Sequence, residues 1–268
     1  MSHRIAVLGS GHMGRALAVG IADNQQLDAS IVVSDPIQEQ LAGYTSQNVH
    51  TTTSNKEAIS ASNIVILAVK PQIIKTVVTA HANTIKNRLV ISIAAGVPLS
   101  NLETWLPEST PIVHCMPNLA VSLNEGVTGM YANCHVTDTQ KMIVQSVFDS
   151  LGEAVWMSED SQIDIVTAVS GTGLAYFFYL MDAIIHAAKE LGMDETNAQQ
   201  FATRTALGAA RIAVNSKDDP ATLRNQVASP GGTTERALSV LDANRVRDSI
   251  MDAVRAAFAR SAELTSSL

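Results

Sequence analysis

The sequence predicts an α/β fold: a doubly wound, mostly parallel sheet over residues 1–158, then an all-helical region over residues 159–268. Three observations lead there. Short β-branched runs alternate with helical patterns through the first half, the mark of βαβ units with right-handed crossovers. Several of these runs are apolar without interruption, as in Ile64-Val65-Ile66-Leu67-Ala68-Val69, which suits central strands covered on both faces. After residue 158 strand-like runs stop and only helical spacing remains.

In chain order, strands are predicted at 4–8, 30–34, 48–51, 63–68, 88–93, 110–114, 126–131 and 153–157. Helices fall between most of them, for example at 12–24, 72–86 and 137–151. The second half reads as helices at 159–169, 172–191, 195–215, 219–227, 233–242 and 244–265. The last of these carries apolar residues at 246, 250, 254, 257 and 258, a helical spacing. The segment from Leu174 is apolar nearly all round, which predicts burial on every side. The segment from Phe201 is rich in Ala and Gly, which lets other helices approach closely.

Composition narrows the function. Lys and Arg total 18 against 25 Asp and Glu, a net charge of −7. That balance argues against nucleic acid or an anionic membrane as partner, since either calls for a basic patch. Charged residues are 16% where roughly 25% is ordinary, and hydrophobic residues reach 46%. The surplus fits either an alanine-rich interior or a helical region that pairs with a second copy as a dimerisation domain. The longest apolar stretch, Leu174 to Ala188, is broken by Asp182 and His186 and falls short of the about 20 residues a membrane span needs. Two cysteines, Cys115 and Cys134, make no disulfide framework, and no Cys/His cluster has zinc spacing, so no metal is expected. The strand-like run Ile5-Ala6-Val7-Leu8 begins almost at once, so no leader is predicted and the setting is expected to be cytoplasmic.

The chemistry is carried by loops. Gly9-Ser10-Gly11-His12-Met13-Gly14 lies between the first strand and the first helix. Glycines there allow a tight turn and close approach of a pyrophosphate, which the free N–H groups of the helix N-terminus attract. Strand, glycine turn, helix and second strand together make a Rossmann-type dinucleotide site. Ser34 and Asp35 end the second strand, 21 residues past Gly14. The Asp35 carboxylate would accept from the adenosine ribose hydroxyls, and no Arg or Lys stands between Ser34 and Gln47 to hold a 2′-phosphate. An ordinary Asp-Pro turn explains Asp35 as well, so NADH and NADPH both stay open. Further loops at the carboxyl ends of strands are Val69-Lys70-Pro71, Ala94-Ala95-Gly96 and Met116-Pro117-Asn118. Lys70 would meet an anion or a ribose, or snorkel to solvent. Ala94, Ala95 and Gly96 have no reactive group and would let a flat ring lie against the backbone.

Ser229-Pro230-Gly231-Gly232-Thr233-Thr234-Glu235 leads into a helix. Its hydroxyls could cap that helix, or its N–H groups and hydroxyls could cradle a small carboxylate. Ser170-Gly171-Thr172-Gly173 is a second glycine-rich hinge. His12, His186 and Asp182 are isolated and read as ordinary helix or loop residues. No P-loop lysine motif, G-x-S-x-G elbow or H-E-x-x-H is present.

Taken together, the motifs make the sequence resemble the Δ1-pyrroline-5-carboxylate reductases over nearly its whole length. The resemblance rests on the glycine opening, Leu67–Pro71, Ser92–Val97, Met116–Asn118, Asp164–Gly173 and above all Leu223–Asp242. It implies an NADPH- or NADH-dependent oxidoreductase that transfers hydride to C5 of a cyclic imine, giving L-proline. It implies a homodimer or higher homo-oligomer whose helical domain interlocks with a second subunit. Ser229, Gly231, Gly232, Thr233 and Thr234 would hold the substrate carboxylate, with Thr234 against the ring nitrogen. Lys70, Ala94, Ala95 and Asn118 would line the nicotinamide and its ribose. The sequence departs from the family pattern at His114, Leu119, Ala120, Thr172, Leu174 and Gln226, where Arg, Thr, Pro, Ser, Pro and Asn or Ala are common. Two other enzyme readings are a reductase of a related imine and a β-hydroxyacid dehydrogenase. The latter wants a lysine soon after Gly171-Thr172-Gly173, and none occurs before Lys189. A non-catalytic nucleotide-binding protein is the reading from another class.

Overall fold

The computed structural model describes residues 3–24 and 27–266. The described residues contain one eight-stranded sheet of β1 (His3–Leu8), β2 (Ala29–Ser34), β3 (Val49–Thr52), β4 (Ile64–Leu67), β5 (Leu89–Ser92), β6 (Ile112–Met116), β7 (Gly126–Ala132) and β8 (Gly152–Trp156). All eight coincide with predicted strands. Their spatial order is β3-β2-β1-β4-β5-β6-β7-β8. Pairing is parallel throughout except between β6 and β7. The reason lies in the connector. Residues 117–125 are too few for a crossover, which takes a dozen or more, so β7 must return antiparallel.

The intervening helices are α1 (His12–Asp23), α2 (Asn55–Ser60), α3 (Pro71–Ile85), α4 (Leu99–Trp105) and α5 (Asp138–Asp149). They bury the sheet on both faces. Along β1 the side chains alternate: Ile5 and Val7 join Leu17, Ile21, Ile31 and Phe148 on one face. Ala6 and Leu8 join Ile59, Val65, Ile74 and Val78 on the other. Two buried faces are what the uninterrupted apolar runs require.

The helical part comprises α6 (Gln162–Val166), α7 (Gly173–Glu190), α8 (Glu195–Asn215), α9 (Pro220–Gln226), α10 (Thr233–Ala243) and α11 (Val246–Ser266). A single π turn, Thr167–Gly171, joins α6 to α7. The chain divides into two compact units. The first holds the described residues up to Thr172 together with those from Ala257 onward, and the second holds Gly173–Ala256. The sheet ends at Trp156, near the expected change at 158, but α6 and the end of α11 pack with the sheet unit.

One expectation fails within the single chain. In α7 only Gly173 is buried. Phe177, Phe178 and Tyr179 are 63%, 61% and 80% exposed. The helix is apolar all round, yet its own chain covers little of it. The continuous helix Gln162–Glu190 is also longer than the run Leu174–Ala188 suggested. An 18-residue window of it reaches a mean hydropathy of 1.4, so by length and composition alone it passes for a membrane span, as apolar helices of water-soluble proteins also do.

Candidate active site

Parallel pairing of β2, β1, β4, β5 and β6 puts the loops after these strands along one edge of the sheet. That edge therefore gathers Asp35, Gly9–Gly14, Val69–Pro71, Ala94–Gly96 and Asn118. The strand order reverses between β1 and β4, the point at which open α/β sheets bind their ligands.

The three glycines of the turn differ in how tightly they are packed. Gly9 has φ +104, and a Cβ there would lie 2.7 Å from Ala68 O. The backbone of this turn is thus pressed against the start of the loop after β4. Gly14 packs on the Gly9 carbonyl, leaving no room for a side chain. Gly11 differs: it is exposed, and a Cβ on it would meet nothing within 4 Å. It is the N-cap of α1 and has no side chain to cover the first N–H groups. His12 is exposed and Met13 half-buried at the start of that helix. A pyrophosphate over Gly11 would find free donors and the positive end of the helix.

Asp35 is half-buried. Its Oδ2 accepts from Ser10 N–H at 2.9 Å and its Oδ1 from Ile37 N–H at 3.0 Å. The carboxylate therefore shapes the turn, and each oxygen keeps a lone pair for a ribose hydroxyl. Ser34 is buried, and its hydroxyl donates to Asn55 Oδ1 at 2.7 Å. Arg15, which sequence reasoning passed over, supplies a cation here although none lies between Ser34 and Gln47. Its Nη2 donates to Gln40 O and Ala42 O, both at 2.7 Å, and its Cζ stands 4.3 Å from the Tyr44 ring centroid. Its place one residue past the glycine motif was the available signal.

Lys70 is exposed at the N-cap of α3, with Pro71 in the first turn and Val69 half-buried before it. Ala94 and Gly96 are buried and Ala95 half-buried. Asn118 is buried, and its Oδ1 accepts from Ala120 N–H at 3.1 Å. Its Nδ2 donates to Ser170 Oγ at 2.9 Å. The Asn118 loop is thereby tied to the π turn, a helix irregularity frequent at functional sites. No sequence signal pairs residues that far apart.

His114 and Asp160 form a further tie. His114 Nδ1 lies 2.6 Å from Asp160 Oδ1, and Asp160 Oδ2 accepts from Leu99 N–H at 2.9 Å. Burial acts to raise the Asp160 carboxyl, but the hydrogen bond and charge of His114 and the Leu99 N–H outweigh it. The result lies below the usual carboxylate value. Burial pushes the Cys115 thiol well up, which makes it inert.

The Ser229–Thr234 loop belongs to the second unit. The side chains do not cap α10: its N-cap is Gly232, which has no side-chain cap. A tight turn forms by Gly232 N–H donating to Ser229 O at 2.9 Å, with Gly231 at φ +71. Gly231 N–H donates to the Glu235 carboxylate at 2.5 Å, so the loop already accommodates a carboxylate oxygen. Ser229 and Thr233 are exposed and Thr234 is half-buried.

Comparison with known proteins gives a consistent result. Residues 160–264 match the family model described as pyrroline-5-carboxylate reductase dimerisation. Residues 4–96 match the model described as NADP oxidoreductase, coenzyme F420-dependent. The pyrroline-5-carboxylate reductase of Pseudomonas aeruginosa is 42% identical over 99% of this chain and 98% of that protein. The solved reductase of Coxiella burnetii is 36% identical, covers 99% of each chain and superposes with a TM-score of 0.91. That of Plasmodium falciparum, solved with NADP bound, is 27% identical over 98% of each chain with a TM-score of 0.88.

Proposed function

The chain belongs to the pyrroline-5-carboxylate reductase family, and from that premise we propose which of its residues perform the reaction. It is an oxidoreductase that uses a nicotinamide cofactor, acts on a small molecule and forms a homo-oligomer. The β-hydroxyacid dehydrogenase and non-catalytic readings gain no support. The observation that carries the assignment is Gly11, the one glycine of the motif that the fold itself does not require.

Residues 1–158 serve the dinucleotide and residues 159–268 the substrate and dimerisation. The pyrophosphate lies over Gly9, Gly11, His12, Met13 and Gly14, with Ser34 and Asp35 at the adenosine ribose. Val69, Lys70, Pro71, Ala94, Ala95, Gly96 and Asn118 face the nicotinamide end. A bound reduced nicotinamide supplies the hydride. Ser229, Gly231, Gly232, Thr233 and Thr234 pin the substrate carboxylate by N–H groups and hydroxyls. The Thr234 hydroxyl stands toward the imine nitrogen, whose proton makes the adjacent C5 electrophilic and can come from solvent. Catalysis is then mainly positioning. NADPH and NADH are both candidates: Asp35 favours the unphosphorylated ribose, while Arg15 offers a counter-charge to a phosphate. Assembly as a dimer or a higher oligomer, in the cytoplasm, is supported by the exposed apolar face of α7 and by two free cysteines.

The test is absorbance at the reduced-nicotinamide band, with pyrroline-5-carboxylate and either cofactor. Imine-dependent oxidation is expected, and the ratio of the two rates ranks the cofactors. No oxidation by a folded protein that binds nucleotide would overturn the assignment.

A further inference from the structure

The end of α11 lies in the sheet unit, and one of its polar residues is buried there. Ser261 is only 4% exposed. Its hydroxyl donates to Asp164 Oδ1 of α6 at 2.5 Å. Leu264, three residues on, lies on the same face of the helix. A Cβ on Gly96 would stand 2.9 Å from Leu264 Cβ and 3.6 Å from Thr265 N. Gly96 has φ +72, so its backbone turns directly under this helix face. The other end of the same loop is fixed too: Leu99 N–H donates to Asp160, in the turn that leads into α6, four residues before Asp164. Within the loop, Val97 N–H donates to Ala94 O at 3.3 Å. Two carboxylates four residues apart thus hold the two supports of one loop: Asp160 its exit, and Asp164 the helix on which Gly96 rests.

We propose that Asp164 and Ser261 are positioning residues that hold the last turns of α11 against Gly96 and so set the Ala94–Gly96 backbone for the nicotinamide. This rests on the reading that the Ala94–Gly96 loop faces the cofactor. Nothing in the pair touches substrate; it acts through the loop. The effect should fall on cofactor binding, because a slackened loop still permits transfer once the cofactor is seated.

The experiment compares the full-length oligomeric enzyme with Ser261→Ala, Asp164→Asn and Ala95→Leu. Losing the Ser261 bond should raise the cofactor KM roughly three- to tenfold, the worth of one hydrogen bond. The imine KM, kcat at saturating cofactor and the oligomeric state should stay within twofold of the parent. Asp164→Asn keeps an acceptor oxygen and should stay near the parent value. Amide hydrogen exchange at residues 95–97 should quicken in Ser261→Ala ahead of the rest of the sheet, a readout that holds even if that variant is poorly active. An unchanged cofactor KM in Ser261→Ala, with Ala95→Leu impaired, would overturn the strut alone. Unchanged values in both variants would overturn it together with the loop's cofactor role. A rise in KM that appears only as the oligomer dissociates would also overturn it.

Discussion

Replacing Gly11 by alanine separates what the glycine turn does for the fold from what it does for the cofactor. Gly11 has φ −67 and ψ 179, values any residue adopts. Its Cβ would meet nothing within 4 Å. Two small terms act on stability. Alanine restricts the unfolded chain, which favours folding by about 0.4–1 kcal/mol. It is also a poorer N-cap than glycine, which costs about as much. The net change should lie within about 1 kcal/mol, or about 2–4 °C in Tm for a chain of this size. With the pyrophosphate over Gly11 as proposed, the cofactor meets a different situation, since a methyl group would intrude between it and the backbone. An intrusion of that kind costs about 1–3 kcal/mol, some 5- to 150-fold in Kd. Cofactor titration by fluorescence, with thermal melts of the same samples, reads both quantities. Gly14→Ala is the contrast: its Cβ would strike the Gly9 carbonyl oxygen, a backbone atom that cannot swing aside, so it should lose stability and binding together. A Gly11→Ala protein that binds NADPH and NADH as tightly as the parent would refute the placement of the pyrophosphate over Gly11.

Three other outcomes follow from named contacts. Thr234→Ala should lower kcat/KM about tenfold, the loss of one hydrogen bond in the transition state; unchanged steady-state kinetics would remove Thr234 from the site. Asp160→Asn should cost about 1–3 kcal/mol in urea unfolding at pH 7 by removing the carboxylate that pairs with the His114 ring nitrogen and accepts from the Leu99 N–H. Because the folded carboxyl lies below its unfolded value near 3.8, that advantage is complete above pH ~5 and fades as the pH falls below about 4. A stability gap that is constant down to pH 3 would contradict this. Phe178→Asp should break the oligomer, seen as a fall in mass by sedimentation, since Phe178 is 61% exposed on the lone chain. An intact assembly would show that α7 is not part of the interface.

The sheet was legible because its strands carry their evidence locally. Ile5-Ala6-Val7-Leu8 is buried on both faces, and a strand so placed has to be apolar at every position. The glycine turn was legible by the fixed spacing of its three glycines between β1 and α1, although what Gly9 and Gly14 pack against includes Ala68, far along the chain. What escaped was long-range pairing. Asn118 with Ser170, His114 with Asp160, and Asp164 with Ser261 join residues 46 to 97 positions apart. Each is a single polar contact with no periodicity to betray it. Arg15 is hidden in a similar way: no cation lies between Ser34 and Gln47, and the one that reaches this loop comes from α1.

The helical half is a different case, because its sequence shows that α7 must be buried and the single chain leaves that burial to a second copy. Periodicity reports that a face must be buried and says nothing about which chain buries it. For α7 the whole circumference asks for cover, and the lone chain leaves Phe177, Phe178, Tyr179 and Leu180 at least half exposed. Leaving so much apolar surface in water is unfavourable at roughly 25 cal/mol per Å², and a second copy removes it. The match to a dimerisation domain over residues 160–264 covers this surface. An oligomer that covers α7 is favoured by mass action, so its stability depends on protein concentration as well as on sequence. The Ser229–Thr234 loop lies in this same unit, between α9 and α10. If that loop holds the substrate as proposed, the competence of the enzyme is tied to its oligomeric state, because α9 and α10 belong to the dimerisation region.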